Sequence, residues 1–357
     1  MQIVSVGKAH PEHWVDQESL IVAFERQWGV AHQNIRRVRQ LHEAVQVGGR
    51  HLALPMDEYE NLSFGAANDA FIRVGLDVAE KAIHDALANT GFAVSDVDAI
   101  WFTTVTGISA PSLDARLMNR LPFRSDLKRT PLFGLGCVAG AAGVARVADY
   151  LKGHPDGVCL LVSVELCSLT LQKQDLSIAN LISSGLFGDG AAAVLMVGAN
   201  RVDEVHPSCA GNRADVVASR SRFYPNTEGV MGWDVGEKGF RVVLSADVPK
   251  MVTDHIADDV AAFLDEQACS LSDIRSWVCH PGGPRVLSAM QEALNLSKED
   301  LALTWESLRR VGNMSSTSVL HVLKDTMVDR PPGSGTFGMM MAMGPAFCSE
   351  LVLLRWR

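Results

Sequence analysis

Three segments of the 357-residue chain set a reactive side chain on a glycine-rich turn: Gly134-Leu-Gly-Cys137-Val-Ala-Gly140, Cys279-His280-Pro-Gly-Gly283 and Val311-Gly-Asn313-Met-Ser-Ser316. The glycines let the backbone turn sharply and let a substrate approach closely. A cysteine just before a small-residue helix sits where helix amides favour thiolate over thiol, so Cys137 is a candidate nucleophile. A thiolate needs a partner that stabilises it and later handles a proton, and His280 is the candidate among eleven histidines. Asn313 adds an amide donor of the kind that faces a developing thioester or enolate oxygen. Together they suggest acyl transfer. Each type also has a plain structural use: a small buried hydrophobe for Cys, a packed residue behind a strand for His, a turn or cap for Asn.

The elements that must carry these turns alternate apolar β-branched runs with longer helix-like stretches, the pattern of an α/β protein. Strands are expected over Asp96–Val105, Pro131–Leu135, Val158–Val164 and Ala191–Val197, with a small-residue helix over Cys137–Leu151. The polar stretch Asn200–Asp215 reads as the boundary between two halves, 1–205 and 206–357. In the second half Leu264–Leu271 is helix or connector, Trp277–Cys279 ends a buried strand, and a helix follows from Arg285. Ser316–Met327 has helical apolar spacing, and Phe337–Met343 and Leu351–Leu354 are strands around Gly344-Pro345. No short repeat is visible.

Composition excludes several classes. Lys plus Arg total 32 against 41 Asp plus Glu, a net of −9, which disfavours nucleic-acid binding. No apolar run approaches the ~20 residues that span a bilayer, and the start lacks a basic segment followed by an apolar one, so a cytoplasmic protein without a membrane span is expected. Seven cysteines, odd in number and without a CxxC pair, argue for free thiols rather than disulfides or a thiolate zinc site. Gly134, Gly136 and Gly140 miss the dinucleotide spacing, and His10-Pro-Glu-His13 lacks the helical metal motif, so no metal is expected.

With the three turns in this order, the chain resembles the type III polyketide synthases, the chalcone-synthase-like branch of the thiolase fold, through nearly its whole length. The resemblance rests on Phe133-Gly-Leu-Gly-Cys-Val-Ala-Gly-Ala-Ala-Gly143, Leu186-Phe-Gly-Asp-Gly-Ala-Ala-Ala193, His280-Pro-Gly-Gly-Pro284, Gly312-Asn-Met-Ser-Ser316 and Met343-Gly-Pro345. It implies a thiolase fold of two pseudo-symmetric αβαβα halves in five layers, a homodimer, and a site where the halves meet. It also implies that Cys137 carries starter and growing chain as a thioester. His280 and Asn313 would bind the malonyl-CoA carbonyl and drive decarboxylation, and Phe187 would gate the entrance. CoA thioesters are then substrates, with malonyl-CoA or methylmalonyl-CoA as extender, and no separate cofactor is implied.

Departures from the plant enzymes bear on the substrate. Val242, placed by the following Asp247-Val-Pro249, stands where a second gatekeeper phenylalanine is expected. The segment Thr104–Arg116 and Ser163–Thr170 are similar to mycobacterial alkylpyrone synthases, in which the positions of Thr106, Ala110 and Cys167 surround the mouth of an acyl tunnel; Ala110 replaces a bulky residue offered by the neighbouring subunit in plant enzymes. This similarity implies a long fatty acyl-CoA starter, each buried methylene adding ~0.8 kcal/mol, and an alkylpyrone or alkylresorcinol product. For CoA the candidates are Arg37, Arg39 and Arg285, with a solvated helix face as the alternative. Two other readings remain: a β-ketoacyl synthase III-like enzyme making one condensation, and a non-catalytic acyl-binding subunit, which would be expected to lose the nucleophile.

Overall fold

The computed structural model describes residues 1–28, 35–209 and 213–357. The first half carries β1 (Gln2–Ala9), β2 (His13–Asp16), α1 (Gln17–Trp28), α2 (Ile35–Ala44), β3 (Gly49–Leu52), α3 (Phe64–Leu87), β4 (Ala99–Thr103), α4 (Leu113–Leu117), β5 (Lys128–Leu132), α5 (Ala139–Gly153), β6 (Val158–Leu166), α6 (Ile178–Leu186) and β7 (Asp189–Val197). The second carries β8 (Ala214–Phe223), β9 (Met231–Gly236), β10 (Gly239–Leu244), α7 (Val248–Glu266), β11 (Ile274–Cys279), α8 (Pro284–Leu294), α9 (Ala302–Val311), α10 (Ser316–Val328), β12 (Phe337–Gly344) and β13 (Cys348–Trp356).

Strands of the two halves hydrogen-bond in the order β11-β12-β13-β8-β1-β7-β6-β4-β5. The seam is short: Gln2 opposes Asp215 and Ile3 opposes Ala214. The inner strands β6, β7, β12 and most of β13 are buried on both faces, which is why they read as continuous apolar runs. In β6, Val158, Leu160, Val162, Val164 and Leu166 pack on the core that contains α3, while Cys159 and Leu161 turn to the opposite core. That second core lies between the half-sheets and is filled by α5 and α10. A third, on the far face of β11, β12 and β13, is covered by α7 and α8. The layers therefore run helix, sheet, helices, sheet, helices.

The central layer dictates an unusual composition. The helices α5 and α10 approach so closely that a Cβ on Gly140 would stand 2.3 Å from the Ser316 carbonyl oxygen and 2.6 Å from Val319 Cγ1. Only glycine fits there, and the alanines around it keep α5 thin. This contact docks the start of α10, which carries the Asn313 turn, against the start of α5, which carries Cys137. The hairpin β9–β10, joined by Glu237-Lys238, lies across the front of the same region with Val242 paired to Trp233. Strand ends and helix starts thus converge at one place, as the composition of the three turns requires.

Candidate active site

Cys137 sits on the tight turn Gly136–Val138 that leads into α5. Gly136 has φ +57°, and a Cβ there would meet the Pro345 ring at 2.5 Å, so glycine is needed twice over. The Cys137 thiol points at the Ser315 hydroxyl, 3.5 Å away. His280 follows β11, held by its N–H to the Met341 carbonyl at 2.9 Å; it is buried, and its Nδ1 has no partner in the protein. Asn313 precedes α10. Its Oδ1 accepts the Ser315 N–H at 2.8 Å and its Nδ2 donates to the Gly282 carbonyl at 3.4 Å, which fixes the amide and leaves its second N–H for the cavity.

All three side chains line one cavity of about 550 Å3, together with Ser315 and Cys167. Burial pushes the Cys137 thiol up to about 12, with the Ser315 hydrogen bond opposing and Glu165 reinforcing the shift, and burial pushes His280 down to about 4. At this depth in the cavity the neutral thiol and neutral imidazole are favoured, against the thiolate bias expected from the helix start alone. A neutral imidazole can accept a thiol proton or donate one N–H, and an amide can donate another. That donor set suits a thioester carbonyl that becomes an enolate.

Phe187 stands at the end of α6 on the wall between this cavity and a smaller one of about 100 Å3. Its backbone neighbours are tied to Asn313 across the halves: the Asn313 N–H donates to the Leu186 carbonyl and the Gly188 N–H to the Asn313 carbonyl, both at 2.9 Å. Cys167 and Val242 lie on the same shared wall, as does Trp233, which the sequence reading overlooked.

Two tunnel candidates do not line the cavities of a single chain. Thr106 is buried but lines neither cavity, because its hydroxyl donates to Glu165 at 2.9 Å and accepts the Leu166 N–H at 2.9 Å. Ala110 is exposed and also lines neither. Glu165 is the second residue missed. It is fully buried in β6 and accepts from Thr104, Thr106, the Val105 N–H and Ser316, and burial raises its pKa. The signal was present: a lone acidic residue in an apolar strand needs several donors to remain there.

Of the CoA candidates, Arg39 is already engaged by Glu18, Glu25 and Glu43, so its charge is spent within the protein. Arg37 is exposed on α2 and lines none of the three described cavities. Arg285, exposed at the start of α8, is on the rim of the large cavity and of an outer bay of about 460 Å3 shared with Lys250. Among the described residues no three His, Cys, Asp or Glu side chains form a metal cradle, and no helix is long and apolar enough to cross a membrane.

A thiol, an imidazole and an amide converging from two thiolase-like halves define a condensing enzyme, and comparison with known proteins agrees. Residues 1–201 match the family model for the N-terminal domain of chalcone and stilbene synthases, and residues 215–356 that for the C-terminal domain. The chain is 49% identical over 324 residues, 89% of its length and 83% of the relative's, to 1,3,6,8-tetrahydroxynaphthalene synthase of Streptomyces peucetius subsp. caesius. It is 30% identical over 79% of its length, and 70% of the relative's, to the alpha-pyrone synthesis polyketide synthase-like Pks18 of Mycobacterium tuberculosis. The crystal structure of the Streptomyces coelicolor tetrahydroxynaphthalene synthase superposes with a TM-score of 0.89 at 26% identity, covering 100% of this chain and 99% of that one. The chain belongs to the chalcone and stilbene synthase family and is a type III polyketide synthase, a condensing acyltransferase.

Proposed function

We propose that Cys137 accepts the acyl group of an acyl-CoA starter and that malonyl-CoA, or methylmalonyl-CoA, extends it by decarboxylative Claisen condensation. The convergence of Cys137, His280 and Asn313 on one cavity carries this reading. As the sulfur attacks the starter thioester its proton passes to His280, which returns it to the departing CoA thiolate. His280 and the free Asn313 N–H then hold the malonyl thioester carbonyl. Loss of carbon dioxide leaves an enolate whose oxygen these donors stabilise. The enolate carbon attacks the acyl-Cys137 carbonyl, the cysteine leaves as thiolate, and the lengthened chain returns to Cys137 by exchange with CoA. The cycle uses the CoA thioesters and no further cofactor.

Release is by lactonisation to a pyrone or aldol closure to a resorcinol. An aliphatic starter is supported by the apolar walls around Cys167, Val242 and Phe187, where its tail runs from Cys137 toward the smaller cavity. That space is about 100 Å3 against about 550 Å3 for the large cavity, so a long fatty acyl chain needs Trp233 or Phe187 to swing aside. Arg285 and Lys250, beside the outer bay, are the cations set to meet CoA phosphates. The active species is a homodimer in this reading, with Ala110 and the exposed Ile108 and Phe133 on the contact face.

A second reading, malonyl-primed synthesis of an aromatic polyketide, is favoured by the 49% identity to a tetrahydroxynaphthalene synthase. The test is mass spectrometry of products from malonyl-CoA alone and with starters from acetyl- to eicosanoyl-CoA. Alkylpyrone or alkylresorcinol masses that follow the added starter support the first reading; one product that ignores every starter gives the second. Absence of any polyketide overturns both.

A further inference from the structure

The lining of the smaller cavity combines apolar side chains, Leu20, Ala23, Phe24 and Leu171 among them, with a chain of hydrogen-bonding groups. Tyr59 Oη lies 2.6 Å from Ser168 Oγ, and Ser168 donates to the carboxylate of Asp189, which also accepts the Ser168 N–H at 2.8 Å and the Ala53 N–H at 2.6 Å. Tyr59 accepts the Leu54 N–H at 3.1 Å. Ser183 and Arg50 also line the cavity, with the Arg50 guanidinium donating to the Ser184 and Phe187 carbonyls. A cavity lined by the Tyr59 and Ser168 hydroxyls suits a polar group better than an alkyl end, which offers them no hydrogen bond.

We propose that this cavity binds an oxygen-bearing chain end, a hydroxyl or keto group, and that Tyr59, backed by Ser168 and Asp189, determines specificity for it. The inference rests on the acyl-transfer reading of the large cavity and names what its side arm selects.

The relay can run in two directions. With Asp189 ionised, Ser168 donates to the carboxylate and Tyr59 donates to Ser168, so the phenol presents a lone pair to the cavity. With Asp189 protonated, its O–H donates to Ser168, Ser168 donates to Tyr59, and the phenol O–H is released toward a ligand. Burial raises the Asp189 carboxyl to about 7, against the Ser168 and Ala53 hydrogen bonds and the Arg50 cation, which brings the second arrangement within reach of the first. A hydroxyl end is satisfied in either, a keto oxygen in the second, and an alkyl end in neither.

The oxygen can come from the starter or from the polyketide built on it, and two arms separate these sources. In the first, plain acyl-CoA starters of graded length are compared with their ω-hydroxy counterparts. The expected result is at least a tenfold higher kcat/KM for the hydroxylated starter at the length that reaches Tyr59, falling to near parity in Tyr59→Phe and Ser168→Ala and returning in Ser168→Thr. In the second, a plain starter is used and the ratio of cyclised products is followed with pH. A ratio that shifts across neutral pH in the wild type and is flat in Tyr59→Phe assigns the oxygen to the growing chain. Cys137 loading, read from intact mass, reports separately on the acyl-transfer reading. If Cys137 loads and products form, yet neither the starter preference nor the product ratio differs between wild type, Tyr59→Phe and Ser168→Ala, the proposal is overturned.

Discussion

His42 offers a direct test of how burial governs this protein's response to acid. It lies on α2 with no solvent exposure; its Nε2 is 2.9 Å from the Leu181 carbonyl, and its ring stands edge-on to Phe24 at 5.3 Å. Burial, helped by the Arg50 cation and opposed by Glu25, lowers its pKa from 6.5 to about 4. The sign is clear. The unfolded chain binds a proton that the folded one refuses, so the stability this histidine contributes is complete above pH 6.5 and is lost as pH falls toward 4. At pH 5 the loss is about 2 kcal/mol per such residue. His10 and His280 are lowered to about 4 in the same way, for about 6 kcal/mol together. Asp189 opposes them: burial raises it from 3.8 to about 7, so the folded state gains about 2 kcal/mol over the same interval. His321, fully buried and held well below 6.5, adds to the loss, so the folded protein is less stable at pH 5 than at pH 7. Urea unfolding at pH 7 and pH 5, followed by tryptophan fluorescence and circular dichroism with coincident transitions, measures it. His42→Phe loses about 1 kcal/mol at pH 7 with the Leu181 bond, but its further loss between pH 7 and pH 5 is smaller than the wild type's by about 2 kcal/mol. An identical pH difference in the two proteins refutes the reasoning.

Three further substitutions probe the site. Cys137→Ala abolishes chain extension while malonyl-CoA decarboxylation by His280 and Asn313 persists, which product analysis and carbon dioxide release read separately; wild-type polyketide yield in this variant sinks the mechanism. Cys167→Phe narrows the wall shared by the two cavities, so hexanoyl-CoA stays active and palmitoyl-CoA turnover falls; unchanged palmitoyl turnover means that no tail passes Cys167. Gly140→Ala forces a Cβ to 2.3 Å from the Ser316 carbonyl oxygen and destabilises by about 1–3 kcal/mol, measured by urea unfolding; a neutral effect shows that α5 and α10 can part without cost.

The three reactive turns were legible because glycine and proline mark places where few other residues fit. Several elements followed for the same reason: Val158–Val164 lies within β6, Ala191–Val197 within β7, and Ser316–Met327 nearly spans α10, whereas the strand expected over Pro131–Leu135 is β5 over Lys128–Leu132. The 24-residue α3 and the β9–β10 hairpin were not read, although the hairpin carries Trp233. A tryptophan in a short exposed strand has no period that distinguishes a cavity wall from a surface. Arg39 shows a different limit: its partners Glu18 and Glu25 lie on the preceding helix, and only the fold brings them within 2.8 Å and 3.0 Å.

Thr106 and Ala110 answer to different demands within the chain. Both follow β4, yet the buried Thr106 hydroxyl turns back to Glu165, while Ala110 rides an exposed loop. The deciding factor is hydrogen-bond demand. A buried carboxylate in β6 needs donors, and the segment after β4 together with Ser316 at the start of α10 supplies them. Those bonds join the strand end beside Cys167 to the turn that presents Ser315 to Cys137. The Asn313 backbone, bonded on both sides of Phe187, makes a second tie between the halves. A shift of α10 therefore moves the amide, the hydroxyl beside the thiol and the aromatic wall together, and this coupling makes the close packing at Gly140 a condition of the chemistry as well as of the fold.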